Sequence, residues 1–288
     1  MQKNYLNTKL VGILRTKPGT SLFNTLNAIE IAFNCGLQAV EITSNSNHWE
    51  NVVDVCSRKK FNIGVGSIKD KTTALEAINC GAKFFVSPGL FPEVIGVANK
   101  YKVQVLPGVY KESDLKQAIN LDIADIKFFP ASAKSDEELF KAIREPFRDE
   151  FDELIHKGWE IKSFSDSGSV SDYIIESPTE FFSIYLEIRN KTSVGKIKIR
   201  FPKGKTGFER LMEFSDLASP NGIRTYAVGG VNEKNMQEVI AKFQAYGVCP
   251  GSGIFNADSI FVGDFDKVKA DIMKHIAVLN QIVLTAKK

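Results

Sequence analysis

The sequence predicts an α/β protein, a (β/α)8 barrel carrying an α+β insertion after its sixth strand. Three observations lead there. Eight short apolar or β-branched runs recur along the 288 residues. Most are separated by about 20 residues of amphipathic, 3.6-period pattern. The runs are apolar throughout instead of alternating, as parallel strands covered by outer helices require. Eight such units in series favour a closed barrel over an open sheet.

The eight runs are Leu10–Arg15, Gln38–Thr43, Phe61–Ser67, Lys83–Gly89, Val103–Gly108, Ala124–Pro130, Ile223–Gly230 and Tyr246–Gly253. The first helix, about Asn24–Cys35, places Leu26, Ile29, Ala32 and Phe33 on one face. Gly36 and Gly81 follow helix ends as stop signals, because glycine takes the left-handed conformation that closes a helix. His48 begins a helix just after the second strand. The last helix, Asp264–Leu284, carries Phe265, Val268, Ile272, Ile276, Leu279 and Val283 on one stripe.

One interval breaks the rhythm. Pro130 to Ile223 is far longer than the helix and loop a βαβ unit needs. Residues 133–206 are read as an inserted subdomain, leaving 1–132 and 207–288 as the barrel. Its charge is segregated: residues 133–187 hold 6 Lys and Arg against 14 Asp and Glu, and residues 188–206 hold 7 Lys and Arg with no acid. Phe181–Arg189 and Lys196–Phe201 alternate around a turn-like Asn190–Gly195, a hairpin signal. Acidic helices are expected from about Ser135 to Ile155, with the basic hairpin packed on them. The chain is expected to leave the barrel just after Ala131 and return before a helix at about Phe208–Leu217. The competing register makes Leu139–Phe147 the sixth barrel helix.

Composition excludes several classes. The net charge is +3, from 37 Lys and Arg against 34 Asp and Glu. That bias is too weak to argue for nucleic acid or a membrane surface. No apolar run approaches the roughly 18 residues of a membrane helix. Cys35, Cys56, Cys80 and Cys249 are scattered, with no CxxC, and read as core residues of a reduced, cytoplasmic protein. Three widely spaced histidines make a histidine metal site unexpected. The N-terminal decapeptide has no apolar stretch after its basic residues, so no secretory signal is expected.

Chemistry in this fold belongs at the C-terminal ends of the strands. Two charged residues interrupt apolar strands there: Glu41 in Val40-Glu41-Ile42 and Lys127 in Ile126-Lys127-Phe128. Burying either costs free energy. A purely structural Lys–Glu pair is an inefficient source of stability. The alternative is a nucleophile. Burial lowers a lysine's pKa, and the free amine attacks a carbonyl while a carboxylate moves protons. Gly229-Gly230 and Gly251-Ser252-Gly253 follow strands seven and eight, where backbone N–H groups of glycine-rich loops commonly hold a phosphate. The residues together read as a Schiff-base enzyme for a phosphorylated carbonyl compound. Arg224, on the seventh strand, is expected to face outward toward the helices.

Ile13–Arg15 (ILR), Val40–Thr43 (VEIT), Gly64–Ser67 (GVGS), Phe85–Leu90 (FVSPGL), Leu106–Val109 (LPGV), Ile126–Ala131 (IKFFPA) and Ala227–Val231 (AVGGV) occur in that order. As a set they resemble the 2-keto-3-deoxy-6-phosphogluconate aldolase family, class I pyruvate aldolases built on a small TIM barrel. The likeness spans residues 10–131 and 207–256, and the insertion has no counterpart in the family pattern. It implies Lys127 as the imine-forming lysine and Glu41 as the general acid/base. It implies substrate contacts from Arg15, Thr43, Ser67, Pro88, Pro107 and Phe129. Phosphate would be held by Gly229, Gly230, Gly251 and Ser252. The implied substrate is a phosphorylated keto sugar acid, cleaved to pyruvate and glyceraldehyde 3-phosphate. No cofactor or metal is implied, since the iminium is the electrophile, and a homotrimer is. Where many phosphogluconate-type members carry an arginine after VEIT, this chain has Asn45. Asn45-Ser46 with the nearby Trp49 resembles the 6-phosphogalactonate type, and FVSPGL the phosphogluconate type. Two other readings remain at this stage. One is a phosphate-binding barrel isomerase or epimerase using Glu41 and Lys127. The other is a non-catalytic sugar-phosphate-binding regulatory protein.

Overall fold

The computed structural model describes residues 5–109, 112–132, 160–166, 170–176, 189–190, 196–202 and 207–285. Eight parallel strands form one sheet in the order β1 (Gly12–Leu14), β2 (Val40–Thr43), β3 (Ile63–Gly66), β4 (Phe84–Ser87), β5 (Gln104–Val109), β6 (Asp125–Phe128), β11 (Arg224–Val228), β12 (Gly247–Cys249). The last strand returns to the first. Val11 N–H donates to Val248 O at 3.1 Å, Val248 N–H to Lys9 O at 2.9 Å, and Ile13 N–H to Pro250 O at 2.9 Å. Each of the eight expected runs holds one of these strands, β5 alone running one residue past its run to Val109.

The helices between them are α1 (Leu22–Asn34), α2 (Trp49–Arg58), α3 (Lys71–Asn79), α4 (Pro92–Tyr101) and α5 (Glu112–Asn120), then α6 (Phe208–Ala218), α7 (Met236–Ala241), α8 (Ala257–Val262) and α9 (Phe265–Thr285). Their ends follow sequence chemistry. Ser21 caps α1 by accepting the Asn24 N–H, and Asp70 caps α3 by accepting the Thr73 N–H. Gly36 at φ 97° and Gly81 at φ 87° occupy the left-handed stop positions. His48 stands at the N-cap of α2, itself left-handed at φ 58°. Val268, Ile272 and Ile276 of the expected α9 stripe are buried and Phe265 and Leu279 half-buried, but Val283 is exposed and Ile282 is buried instead.

The barrel interior is filled by Val11, Phe84, Val86, Leu106, Tyr226, Val228 and Cys249. Its floor is the N-terminal segment. Tyr5 and Leu6 backbone N–H groups donate to Gln104 Oε1, and the Tyr226 hydroxyl donates to the carbonyls of Leu6 and Thr8. Arg224 belongs to this floor, which corrects the outward orientation expected of it. It lies two residues from Tyr226, on the same strand face. Its guanidinium grips Asp125 on the adjacent strand with two hydrogen bonds, of 2.7 and 2.8 Å. The Tyr246 ring lies 4.6 Å from the guanidinium and its hydroxyl accepts at 3.2 Å. A buried carboxylate on the neighbouring strand outweighs the solvent preference of an arginine.

Two compact units divide the chain, residues 1–131 with 210–288, and residues 132–209. The helix preceding β11 in the barrel is α6, with Leu211, Phe214, Ser215 and Ala218 buried and the Phe214 ring 4.8 Å from that of Phe128. The second unit contains a four-stranded antiparallel sheet, β7 (Glu160–Asp166), β8 (Val170–Glu176), β9 (Arg189–Asn190) and β10 (Lys196–Pro202), in the order β7-β8-β10-β9. The β9–β10 pairing, Lys198 opposite Arg189, is the closing end of the expected hairpin. The rest of its first strand, 181–188, and the acidic helices expected near Ser135–Ile155 lie outside the described residues. Strands β7 and β8 were not anticipated. Their signal was available in the β-branched and aromatic residues of Glu160–Asp166 and Val170–Glu176 on either side of Ser167-Gly168.

Candidate active site

Strand β2 places Glu41 between Ile13 and Gly64, and strand β6 places Lys127 between Gly108 and Tyr226. Both side chains are buried, Glu41 with 2% of its surface exposed and Lys127 with 7%. Two glycines on β3 make the room. A Cβ on Gly64 would strike the Phe84 ring, and one on Gly66 would overlap the Glu41 carboxylate, with Glu41 Cγ at 2.7 Å. The carboxylate therefore occupies the side-chain space of Gly66, and its Oε2 has no hydrogen-bond partner among the described residues.

The electrostatics follow from burial. Loss of hydration pushes the Glu41 carboxyl up, against the opposing pull of Lys127 and then Arg15. The same loss pushes the Lys127 amine down; Glu41 and Cys249 hold it up, and the positive charge of Arg15 adds to the depression. Among the described ion pairs within 4.0 Å, none joins Glu41 to Lys127, so the two act on each other as field sources without a closed salt bridge. The amine lies 5.0 Å from the centroid of the Phe129 ring. Cys249, on β12, is the neighbour that sequence reasoning missed. Its thiol is buried beside the pair and is pushed up by burial and then by Glu41. It is a core residue, as expected, and the register of β12 against β11 also brings it beside the pair.

The rim is built from the strand ends. Arg15, half-buried, follows β1. Thr43 ends β2 with its Oγ1 2.9 Å from Ser46 Oγ. Ser46 Oγ accepts the Thr16 N–H at 3.1 Å, and Thr16 Oγ1 accepts the Asn47 N–H at 3.0 Å, so buried hydroxyls tie the first two loops together. Ser67, at φ 59°, is held through its carbonyl by the Ser44 hydroxyl. Pro88 and Pro107 are buried, and the Pro88 carbonyl sits where a side chain on Gly108 would be. Asn45 is exposed at the same rim.

The two glycine-rich loops are neighbours. Gly229 and Gly230 both have positive φ, 89° and 69°. A Cβ on Gly229 would lie 3.1 Å from Pro130 Cβ and 3.2 Å from the Phe129 ring, so this turn abuts the end of the lysine strand. Asn235 shapes it, accepting the Asn232 N–H and donating to the Gly230 carbonyl, each at 2.9 Å. Gly251 opens onto free space, Ser252 is exposed, and Gly253 lies against Asn232 of the other loop. The expected residues thus gather at one end of the barrel: a buried amine and carboxylate, a cation at the rim, and two loops with open backbone. That set can form and protonate an imine and hold an anion near it. Among the described residues, no group of three His, Cys, Asp or Glu converges as metal ligands would.

Comparison with known proteins places the chain. It is 33% identical over 116 residues to the 2-dehydro-3-deoxy-phosphogluconate aldolase of Pseudomonas aeruginosa, covering 40% of this chain and 53% of that one. The chain spans about half the length of the curated relatives it matches. In three dimensions it superposes on the native KDPGal structure with a TM-score of 0.64 at 19% identity, covering 99% of this chain and 100% of that chain. A KDPG aldolase from Legionella pneumophila, with pyruvate captured at low pH as a covalent carbinolamine, superposes with a TM-score of 0.54 at 16% identity, covering 91% and 92% of the two chains. At these identities the structural likeness establishes the barrel fold. The family profile runs on to residue 151 and so takes in Leu139–Phe147, which competes with α6 for likeness to the family's sixth helix. Because that profile, for KDPG and KHG aldolase, matches residues 3–151 and thus more than half of the sequence, the chain belongs to the KDPG and KHG aldolase family.

Proposed function

We propose that the barrel is a class I aldolase that cleaves a 2-keto-3-deoxy-6-phospho-sugar acid, of the gluconate or galactonate type, to pyruvate and glyceraldehyde 3-phosphate. The observation that carries this is the buried Lys127, whose amine is pushed down by loss of hydration beside the Glu41 carboxylate. A neutral amine is the nucleophile the reaction requires.

The Lys127 amine adds to the C2 ketone and gives a carbinolamine, the species captured with pyruvate in the Legionella relative. Loss of water yields the protonated imine. Glu41, through a water, removes the proton of the C4 hydroxyl. The C3–C4 bond breaks, its electron pair entering the iminium to leave an enamine of pyruvate, and glyceraldehyde 3-phosphate departs. The enamine takes a proton at C3 and water releases pyruvate, regenerating the amine. Arg15 contacts an anionic group of the substrate, Pro88 and Pro107 line the pyruvate half, and Thr43, Ser67 and Phe129 add further substrate contacts. The backbone N–H groups of Gly229, Gly230, Gly251 and Ser252 receive the phosphate. The working unit is a homo-oligomer whose barrel is residues 1–132 and 207–288, with residues 133–206 as an inserted α+β subdomain.

The test is trapping. Incubation with pyruvate and borohydride should fix pyruvate irreversibly to Lys127, read by peptide mass, and Lys127→Ala should abolish both the adduct and cleavage. An acid–base isomerase or a binding protein would give no adduct. Assaying both phosphorylated epimers then identifies the sugar, and the unphosphorylated acids should show a much lower kcat/KM, because binding energy from the remote phosphate is what raises it.

A further inference from the structure

Behind the two glycine-rich loops stands a residue with no part in the chemistry above. His275, on α9, is completely buried among the apolar residues of that helix. Its Nδ1 lies 2.8 Å from the Asp271 carbonyl. A carbonyl only accepts, so Nδ1 carries the proton and the ring orientation is set. Asp271 itself is held: its carboxylate takes Lys267 at 3.1 Å and Lys274 at 2.9 Å. Nε2 therefore points away from the helix, and it has no hydrogen-bond partner among the described residues.

What Nε2 faces is the junction of the loops. Glu233 Oε2, in the turn after Gly229-Gly230, is 3.8 Å away, near enough to feel the ring edge but beyond a hydrogen bond. A Cβ on Gly253, in the loop after β12, would lie 3.5 Å from Nε2 and 3.4 Å from Asn232 Cβ. A methyl at position 253 would stand in ordinary van der Waals contact with both, so the imidazole edge lies directly against this loop where it meets the other. A buried polar atom left unmet costs on the order of 1–3 kcal/mol. An aliphatic residue would fill this position on the stripe of α9 at no such cost.

We propose that His275 is a positioning residue of the phosphate subsite, its Nε2 edge setting the spacing between the loop after β11, at Glu233, and the loop after β12, at Gly253. The inference rests on the aldolase reading and on the phosphate role of these loops. It assigns His275 to phosphate affinity alone, since nothing connects it to Lys127 or Glu41.

The experiment uses full-length His275→Phe, His275→Gln and His275→Asn, with steady-state cleavage of the phosphorylated substrate and borohydride trapping of pyruvate. Gln places a polar group where Nε2 stands, Asn where Nδ1 stands. His275→Phe should raise KM about tenfold with kcat within about twofold, the signature of lost ground-state binding. Pyruvate trapping should be unchanged. Gln should restore KM to within about threefold of the parent, and Asn should not. Glu233→Ala, a half-exposed change that spares the core, should raise KM in the same direction if the Phe variant fails to fold. Unchanged KM in the Phe and Glu233 variants, or rescue by Asn equal to that by Gln, overturns the proposal. So does parallel loss of pyruvate trapping in a folded Phe variant. Absence of trapping in the parent protein instead overturns the aldolase reading, and absence of any preference for phosphorylated substrate overturns the phosphate assignment together with this one.

Discussion

Gly66 and Glu41 share one space: the carboxylate of Glu41 fills the volume that any side chain on Gly66 would take. Glycine at 66 is thus a condition for the position of the carboxylate. Gly66→Ala should leave the barrel folded, lower kcat by about 10²-fold as expected for a displaced general acid/base, and slow pyruvate trapping less than it slows cleavage. Gly64→Ala is the control. Its Cβ meets the Phe84 ring, so it should lower the denaturant midpoint while a folded fraction keeps its turnover. Equal kinetic behaviour of the two variants would remove the special role of Gly66.

The pH dependence of imine trapping should respond to charge in opposite directions at two positions. Glu41 holds the Lys127 amine up and Arg15 pushes it down. Trapping needs the neutral amine, so its rate rises with pH through the Lys127 pKa. Glu41→Gln removes the upward pull and should move that limb to lower pH. Arg15→Met removes the downward push and should move it to higher pH. Trapping profiles of the three proteins between pH 5 and about 10.4, the ordinary lysine value, test this, and shifts of the same sign would refute the electrostatic account.

Both buried charges also weaken the fold at neutral pH. Lys127 has a depressed pKa, so the penalty for its ionised form is present at pH 7 and is relieved as pH rises from that pKa toward the ordinary lysine value. Glu41 has a raised pKa, so its penalty is relieved as pH falls through that pKa toward the ordinary carboxyl value. Removing one partner strands the other, whereas removing both does not. The double variant Lys127→Met/Glu41→Gln should be inactive and more stable by about 1–4 kcal/mol, read from urea unfolding at pH 7. A less stable double variant would mean that the pair holds the barrel together.

The proposed insertion offers a test of domain structure. Residues 132–209 form a unit with its own internal sheet, and β11 follows α6 in the sequence beyond it. Replacing residues 133–206 with a short Gly/Ser linker should leave a cooperatively folded barrel that still traps pyruvate, since domains carry their own cores. A chain that does not fold after this deletion would show that the segment is part of the barrel's own stability. A folded chain with unchanged KM would assign the segment a role apart from the site.

The amino-acid sequence alone determined the barrel, because short continuous apolar runs and 3.6-residue patterning are local properties that survive without knowledge of partners. It also exposed Glu41 and Lys127, since a charge inside an apolar strand is anomalous wherever the strand lies. The glycine pairs after the seventh and eighth strands were legible for the same reason. What lies beyond pattern was decided by register. Arg224 turned inward because Asp125 waits at the matching level of the next strand. Cys249 joined the lysine because closing the barrel brings β12 back beside β1. His275 came under the loops only when α9, distant in sequence from Glu233, packed there. Such relations depend on which residues of separate elements end up side by side, and no window of the sequence contains both members of the pair.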